Sequence, residues 1–335
     1  MRILGLLLLD SFRMLRAQKL FWIFLVLSAV VSLLYASIGI SETEFGILFG
    51  LWSFDLSEML GGMEMTPDVA KGLYLWLFTD VIVRYWLGLI ALVLGIISCA
   101  SIFPEFVARG SVDLVLSKPP SRLLLYFGKY LGSLVFVAAQ VFVFCLVVFF
   151  AFGLRYGDWN LSLFWALPVV LSIFSVIYSV HVFVSVWSGS VVFALLATVG
   201  VWGVGVLGEW SENLCYKMVY LMPQVGMSWD GRESGEMPTE SAGTAGETIY
   251  GVINTARTVL PKTRVGPDQL RQLIQVGEGQ DIADVMSGAE AEVPRAEAMS
   301  RFHRRHSIWK DVLSSLLFEL LFLAGGAWVF LRRDY

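Results

Sequence analysis

The chain has 335 residues, of which 57% are hydrophobic and 16% are charged, and its formal net charge is −4. Soluble domains carry about 45–50% apolar and about 25% charged residues, so this composition excludes an ordinary soluble protein. The mean hydropathy is +0.71, and the apolar residues cluster in long runs, which is typical of membrane spans.

Residues 1–19 precede the first of these runs and carry a basic stripe. Arg13, Arg16 and Lys19 recur every third residue beside leucine and phenylalanine side chains. The pattern predicts an amphipathic helix in the headgroup layer, and a simple basic flank is the alternative. Both interpretations place the N-terminus in the cytoplasm.

Six apolar runs are long enough for a bilayer core, which takes about 20 residues per helix. They are residues 20–40, 81–103, 128–152, 161–182, 188–207 and 312–331. Within lipid each run must be helical, because no water is present to satisfy free backbone groups. We therefore predict an all-α membrane protein with six transmembrane helices.

The distribution of Lys and Arg predicts the orientation, because short cytoplasmic loops concentrate these residues. The N-terminal flank, the loop between spans two and three, and the C-terminal tail are basic, whereas residues 41–80 carry Lys71 alone against seven acids. We expect a multi-pass protein of the plasma membrane with both termini cytoplasmic. Residues 208–311 are then extracytoplasmic, as a loop or a small subdomain, with full disorder as the alternative.

The sequence therefore predicts four parts: residues 1–19, residues 20–207 with five spans, residues 208–311, and residues 312–335 with the last span and its tail.

A polar island, residues 103–122, separates the second and third spans and reads FPEFVARGSVDLVLSKPPSR. Pro104 is expected to end span two, because proline blocks helix continuation. Glu105 and Arg109 are four residues apart and can pair on one helix face. A glycine and a double proline break the segment further on. The pattern predicts a short, stiff cytoplasmic element that transmits force to spans two and three, and an ordinary re-entry loop is the alternative.

The polar island resembles the cytoplasmic signature of type-2 ABC transporter permeases, roughly E…(E/R)-G-(T/S)-hydrophobic…LLS-x-P-(I/V)-S-R…GK. The matching positions are Glu105, Arg109, Gly110, Ser111, Val112, Leu116, Ser117, Pro119, Ser121, Arg122, Gly128 and Lys129. The terminal WVFLRRDY is similar to the usual ending of that family. Two features depart from the pattern: Pro120 replaces a β-branched residue, and residues 226–301 exceed the usual external loop.

The resemblance implies a permease subunit of an ATP-binding cassette transporter, with export as the expected direction. Two such subunits, as a homodimer or a heterodimer, would form the translocation path in the lipid bilayer. Each would dock on a separately encoded ATP-binding subunit, which would hold ATP and Mg. The implied docking residues are Glu105, Arg109, Gly110, Ser111, Val112, Leu116 and Pro119.

The sequence lacks the usual motif of a nucleotide-hydrolysing site. It contains no GxxxxGK[ST] loop, which is the usual phosphate-binding element. We therefore expect no enzymatic activity, no cofactor and no metal in this chain, and no nucleic-acid partner. The substrate class stays open among a lipid, a peptide, a drug-like compound and an ion.

Two charged residues lie inside predicted spans, where a charge costs about 2.5–3.5 kcal/mol on the insertion scale. Glu319 is in the last span and Arg84 is near the outer start of span two. Both are candidates for lining a translocation path, and they can pair. The alternatives are a packing or dimer contact for Glu319 and an interfacial position for Arg84. His303 and His306 can share a metal, but the arginines between them favour a headgroup-facing patch.

Two other classes of function remain open from the sequence. A membrane assembly or sensor protein would bind a partner through its external insert without transporting anything. An intramembrane enzyme would need clustered polar residues in the spans, for which Glu319 and His181 alone give little support.

Overall fold

The computed structural model describes residues 19–40, 44–55, 67–107, 121–216 and 308–333, and these residues are mostly helical. Five of the described helices are long and apolar enough to cross a membrane: Gly72–Val107, Arg122–Tyr156, Leu161–Ser188, Val191–Gly208 and Leu313–Arg332. The long apolar runs have therefore become long helices, as predicted.

Eight α-helices follow one another along the described chain. They are α1 (Lys19–Ser37), α2 (Pro67–Trp76), α3 (Leu92–Cys99), α4 (Ile102–Val107), α5 (Arg122–Tyr156), α6 (Ala166–Ser188), α7 (Val191–Tyr216) and α8 (Ile308–Arg332). A π-helical stretch, Leu77–Ala91, joins α2 to α3, and a 3-10 turn, Leu161–Trp165, leads into α6.

The first predicted span corresponds to α1. Its apolar part, Trp22–Ser37, is shorter than the five long helices. The predicted interfacial helix of residues 1–19 lies outside the described residues except for Lys19, where α1 begins. Most of segment 208–311 is also outside them; α7 continues to Tyr216 and α8 already begins at Ile308.

Sequence signals set the ends of α5 and α6 beyond the predicted apolar runs. The Ser121 hydroxyl accepts a hydrogen bond from the Leu124 amide at 3.3 Å, which caps the start of α5. Gly157 and Gly189 follow α5 and α6 with φ of 68° each, the left-handed conformation that closes helices and that glycine adopts readily. The helices are therefore longer than their apolar centres.

The prediction that Pro104 ends span two is wrong. Helix α3 ends at Cys99, and α4 resumes at Ile102 and contains Pro104 as its third residue. A proline has no N–H for the carbonyl four residues earlier, which here belongs to Ala100, but it is tolerated in the first turn of a helix. The break therefore falls one turn before the proline.

A small antiparallel sheet lies between α1 and α2 and adds to the predicted all-α architecture. Its strands are β1 (Gly39–Ile40), β2 (Glu44–Ile47) and β3 (Trp52–Asp55), in the order β1-β2-β3. Phe45 pairs with Phe54 and Ile47 with Trp52, residue types that suit a pleated surface. Strands of two to four residues are too short for alternation to show in the sequence.

Helix α6 is the centre of the packing. It contacts α5, α7, α8 and the helical run of span two. The most apolar part of Leu161–Ser188, which contains α6, is 72% buried, against 22% for that of Leu313–Arg332. Helices α7 and α8 expose rows of large apolar side chains, among them Leu196, Leu207, Leu320 and Leu321. Such faces suit contact with lipid tails.

The start of the polar island and the end of α8 share one end of the bundle. The ring of Phe106 in α4 stacks on Phe330 in α8 with centroids 5.4 Å apart. The sheet lies at the other end, where the Tyr156 hydroxyl donates to the Ile40 carbonyl at 3.1 Å. The two ends are separated by the 35 residues of α5, about 52 Å at 1.5 Å per residue.

Candidate functional site

The centre of the site is Glu319, one residue before the midpoint of α8. Its Oε1 accepts a hydrogen bond from the Tyr130 hydroxyl of α5 at 2.8 Å. Its Oε2 accepts one from the Ser175 hydroxyl of α6, also at 2.8 Å. The half-buried carboxyl group therefore joins three helices through two neutral donors. An arrangement of this kind satisfies a costly polar group in the bundle interior.

Tyr130 also connects the carboxyl group to a ladder of stacked rings. Its hydroxyl lies 3.2 Å from the Ser175 carbonyl, and its ring stacks on Tyr178 with centroids 5.9 Å apart. Tyr178 in turn stacks on Phe174 at 5.1 Å and on His181 at 5.7 Å, each with rings 16° from parallel. The carboxyl group and the imidazole thus belong to one cluster.

The far end of the ladder holds the break between α3 and α4. The Tyr178 hydroxyl donates to the Cys99 carbonyl at 3.3 Å, and His181 Nε2 lies 3.2 Å from the Ala100 carbonyl. His181 and Tyr178 are both fully buried. We call Tyr130, Ser133, Ser175, Tyr178, His181 and Glu319 the polar cluster.

One face of α5 contributes further polar side chains. The Ser133 hydroxyl lies 2.9 Å from the Tyr178 hydroxyl, and Lys129, one turn earlier, is only 4% exposed. A lysine can be buried along its aliphatic stem. Gln140 is 8% exposed, and its amide atoms have no hydrogen-bond partner in the described part of the chain.

The polar cluster contains one carboxyl group and one imidazole among its hydroxyl groups. Within the described residues, no group of three or more His, Cys, Asp or Glu side chains could hold a metal ion. His303 and His306 lie outside them. Cys99 and Cys145 are buried free thiols.

The structure brings Glu319 into a site but leaves most predicted docking residues outside its description. Glu105 is exposed in α4. Arg109, Gly110, Ser111, Val112, Leu116 and Pro119 lie outside the described residues. The backbone of Arg84 lies inside the π-helical stretch; its side chain is outside the description, so the predicted pairing with Glu319 stays a prediction.

Sequence reasoning missed Tyr130, Ser175 and Tyr178 and gave His181 little weight. A signal was present, because Ser175, Tyr178, His181 and Ser185 recur every three or four residues in one apolar run. That spacing places polar groups on one face of a helix. A polar stripe inside a span indicates a face turned toward the protein interior.

The fold and the polar cluster place the chain among the helical, multi-pass membrane proteins. Comparison of the chain with protein-family models, with curated proteins and with solved structures gives no match.

Proposed function

We propose that the chain is the membrane-spanning permease subunit of an ATP-binding cassette exporter. A separately encoded ATP-binding subunit docks on the polar island and supplies ATP hydrolysis, and a second permease copy completes the translocation path. The observation that carries the proposal is the polar island itself, in which the spacing of Glu105, Gly110 and Pro119 resembles the type-2 permease signature.

The surroundings of Glu105 support this role. The residue is exposed on a short helix whose buried side packs on Phe330. A protein that docks there would therefore push on α4 and, through Phe330, on α8. An exposed carboxylate on a firmly packed helix is a suitable contact for a partner that moves.

The proposed orientation has six spans, with α1 as the first, and places both termini in the cytoplasm. Arg122 begins α5 at the end of the bundle where Arg332 and Arg333 end the described chain. Basic residues grouped at one end favour that end for the cytoplasm. The exposed Glu44 lies in the sheet at the opposite end.

The proposed translocation path runs beside Glu319. A carboxyl group near the middle of a span is usually retained for a polar substrate or ion, because it is costly in hydrocarbon. Both of its hydrogen-bond partners, Tyr130 and Ser175, are neutral, so the carboxyl group suits a positively charged or hydrogen-bonding substrate.

The test is purification of the tagged chain from its native membrane in mild detergent, scoring the bound proteins for ATPase activity. Glu105→Ala and Gly110→Pro are compared with Glu44→Ala, which removes an exposed acid at the other end of the bundle. We expect a stoichiometric ATPase with the parent chain and with Glu44→Ala, and its loss or uncoupling in the two island variants.

Two results would count against the proposal. Normal ATP-dependent activity in both island variants would remove the docking role of the polar island. An intact, dimeric chain with no bound ATPase would favour the assembly or sensor function, with segment 208–311 as the partner-binding part.

A further inference from the structure

The break between α3 and α4 leaves a backbone acceptor open inside the protein. In a continuous helix the Ala100 carbonyl would accept from the N–H of residue 104, but Pro104 has none. Ala100 is only 2% exposed. A buried carbonyl needs another donor, and inside a membrane protein water does not readily supply one.

His181 of α6 is that donor. A carbonyl oxygen only accepts, so the Nε2 atom, 3.2 Å from it, carries the proton. In the neutral imidazole Nδ1 then carries no proton; the Thr198 hydroxyl of α7 lies 3.4 Å from it but donates to the Ala194 carbonyl at 2.7 Å. Ser185 Oγ stands 3.2 Å from Nε2. The ring thus contacts side chains of α6 and α7 while it donates to the broken helix.

Tyr178, one turn earlier on α6, holds the neighbouring carbonyl. Its hydroxyl donates to Cys99 at 3.3 Å and contacts Ser133 of α5 at 2.9 Å. The stacking of Tyr178 on His181 makes the two side chains one unit. Two consecutive carbonyls at the end of α3 are therefore bound by two side chains of the most buried helix.

We propose that Tyr178 and His181 are positioning residues that latch the break and thereby fix α4, which carries Glu105, to the central helix. They act through the Cys99 and Ala100 carbonyls and not on a ligand. The latch rests on the proposed function for its purpose, since it keeps Glu105 in one place relative to α6. A movement imposed on α4 by a partner then reaches α6, which also carries Ser175 beside Glu319.

A distance measured on the chain alone tests the latch. Spin labels are placed at Glu105→Cys in α4 and at Trp187→Cys near the end of α6; Glu105 is exposed and Trp187 is 58% exposed. Cys99 and Cys145 are buried and escape labelling, and Cys215→Ser removes the third thiol. Pulsed electron–electron double resonance in nanodiscs then gives the distribution of distances between the labels.

Three latch variants and one control are compared. His181→Gln keeps a donor nitrogen near the position of Nε2, His181→Leu removes it, and Tyr178→Phe removes only a hydroxyl. Ser172→Ala is the control, because that exposed hydroxyl bonds within its own helix, to the Pro168 carbonyl.

We expect one narrow distance in the parent, in Ser172→Ala and in His181→Gln, and loss of that narrow distribution in His181→Leu and Tyr178→Phe. A distribution in His181→Leu as narrow as in the parent overturns the latch, and so does equal broadening in His181→Gln. If His181→Leu does not fold, the smaller change Tyr178→Phe decides.

The outcomes separate the latch from the proposed function. An unchanged distance refutes the latch whether or not an ATPase binds the chain. Absence of a bound ATPase refutes the proposed function, whereas the distance still shows whether the two side chains hold α4.

Discussion

The hydroxyl of Tyr126 in α5 lies closer to the Cβ position of Gly326 in α8 than a real Cβ atom would allow, and it donates to the Leu323 carbonyl of α8 at 3.2 Å. Gly326 therefore lets α5 and α8 approach closely. The approach needs a residue with no side chain, because close-packed helices do not yield easily.

Gly326→Ala is expected to destabilise the folded chain, because the added methyl group must displace Tyr126 or move α8. Overpacking of this kind costs about 1–3 kcal/mol. Unfolding in mixed micelles measures the loss. Gly203→Ala in α7 is the matched control, because nothing lies within 4 Å of the added atom; alanine is expected to stabilise the helix there by up to about 1 kcal/mol.

The clash can be relieved to confirm its cause. Tyr126→Phe removes the oxygen that the new Cβ would meet, so Gly326→Ala is expected to cost less in that background than in the parent. Equal costs in both backgrounds would show that the Tyr126 hydroxyl does not set the helix distance.

The two hydrogen bonds between Tyr35 and Tyr74, near the sheet, are unequal in length, so we expect unequal losses of stability when each hydroxyl is removed. The Tyr35 hydroxyl donates to the Tyr74 carbonyl at 2.9 Å, whereas the return bond from Tyr74 to the Tyr35 carbonyl is 3.5 Å long. Tyr35→Phe is therefore expected to lose more of the roughly 0.5–1.5 kcal/mol of a hydrogen bond than Tyr74→Phe. Both variants keep the ring contact of 4.8 Å, and equal losses in micelle unfolding would contradict the assignment.

Removal of the Arg333 side chain is expected to weaken the last turn of α6. Its guanidinium donates to the Val186 carbonyl at 2.6 Å and lies 3.4 Å from that of Trp187, so it caps the last turn and meets the negative end of the helix dipole. Arg333→Ala is expected to cost about 0.3–1 kcal/mol there. Hydrogen exchange should become faster in peptides that cover residues 182–190.

Arg332→Ala is the control for that measurement. Arg332 lies 4.2 Å from the Trp328 ring centroid on its own helix, so its loss should leave exchange at the end of α6 unchanged. Faster exchange in both variants would mean that the charge of the tail, and not the Arg333 hydrogen bonds, protects the turn.

Much of the helical architecture follows from the sequence, because in lipid an apolar run has no other way to satisfy its backbone. Glu319 was visible as a charge within such a run. Its partners were not, since Tyr130 and Ser175 lie 189 and 144 residues away in the chain. The sequence of one apolar run does not indicate which other helix its polar residues face.

Pro104 shows a second limit of sequence reasoning. The rule that proline interrupts a helix holds, but the break falls at Ala100, and His181 and Tyr178 bond the Ala100 and Cys99 carbonyls there. The side chains that satisfy the broken helix thus belong to another helix, which the sequence around Pro104 does not show. The sheet was missed for a different reason, since strands as short as β1 carry too few residues to form a pattern.

The bond between Tyr130 and Glu319 predicts coupled effects on stability and function. In the parent chain, Tyr130→Phe leaves Oε1 of the carboxyl group without its donor at 2.8 Å. In a Glu319→Leu background the same change should cost less, because only the Ser175 carbonyl, 3.2 Å away, remains as an acceptor. Hydrogen bonds between membrane helices contribute about 0.6 kcal/mol on average and up to about 1.7 kcal/mol, which sets the expected coupling energy in a double-mutant cycle. Ser172→Ala combined with Glu319→Leu should be additive, because the Ser172 hydroxyl bonds within its own helix. A coupling energy of zero would show that the two side chains do not stabilise each other.

Loss of transport in Glu319→Leu with folding retained would support the carboxyl group as part of the translocation path, whereas full transport would remove it from that path.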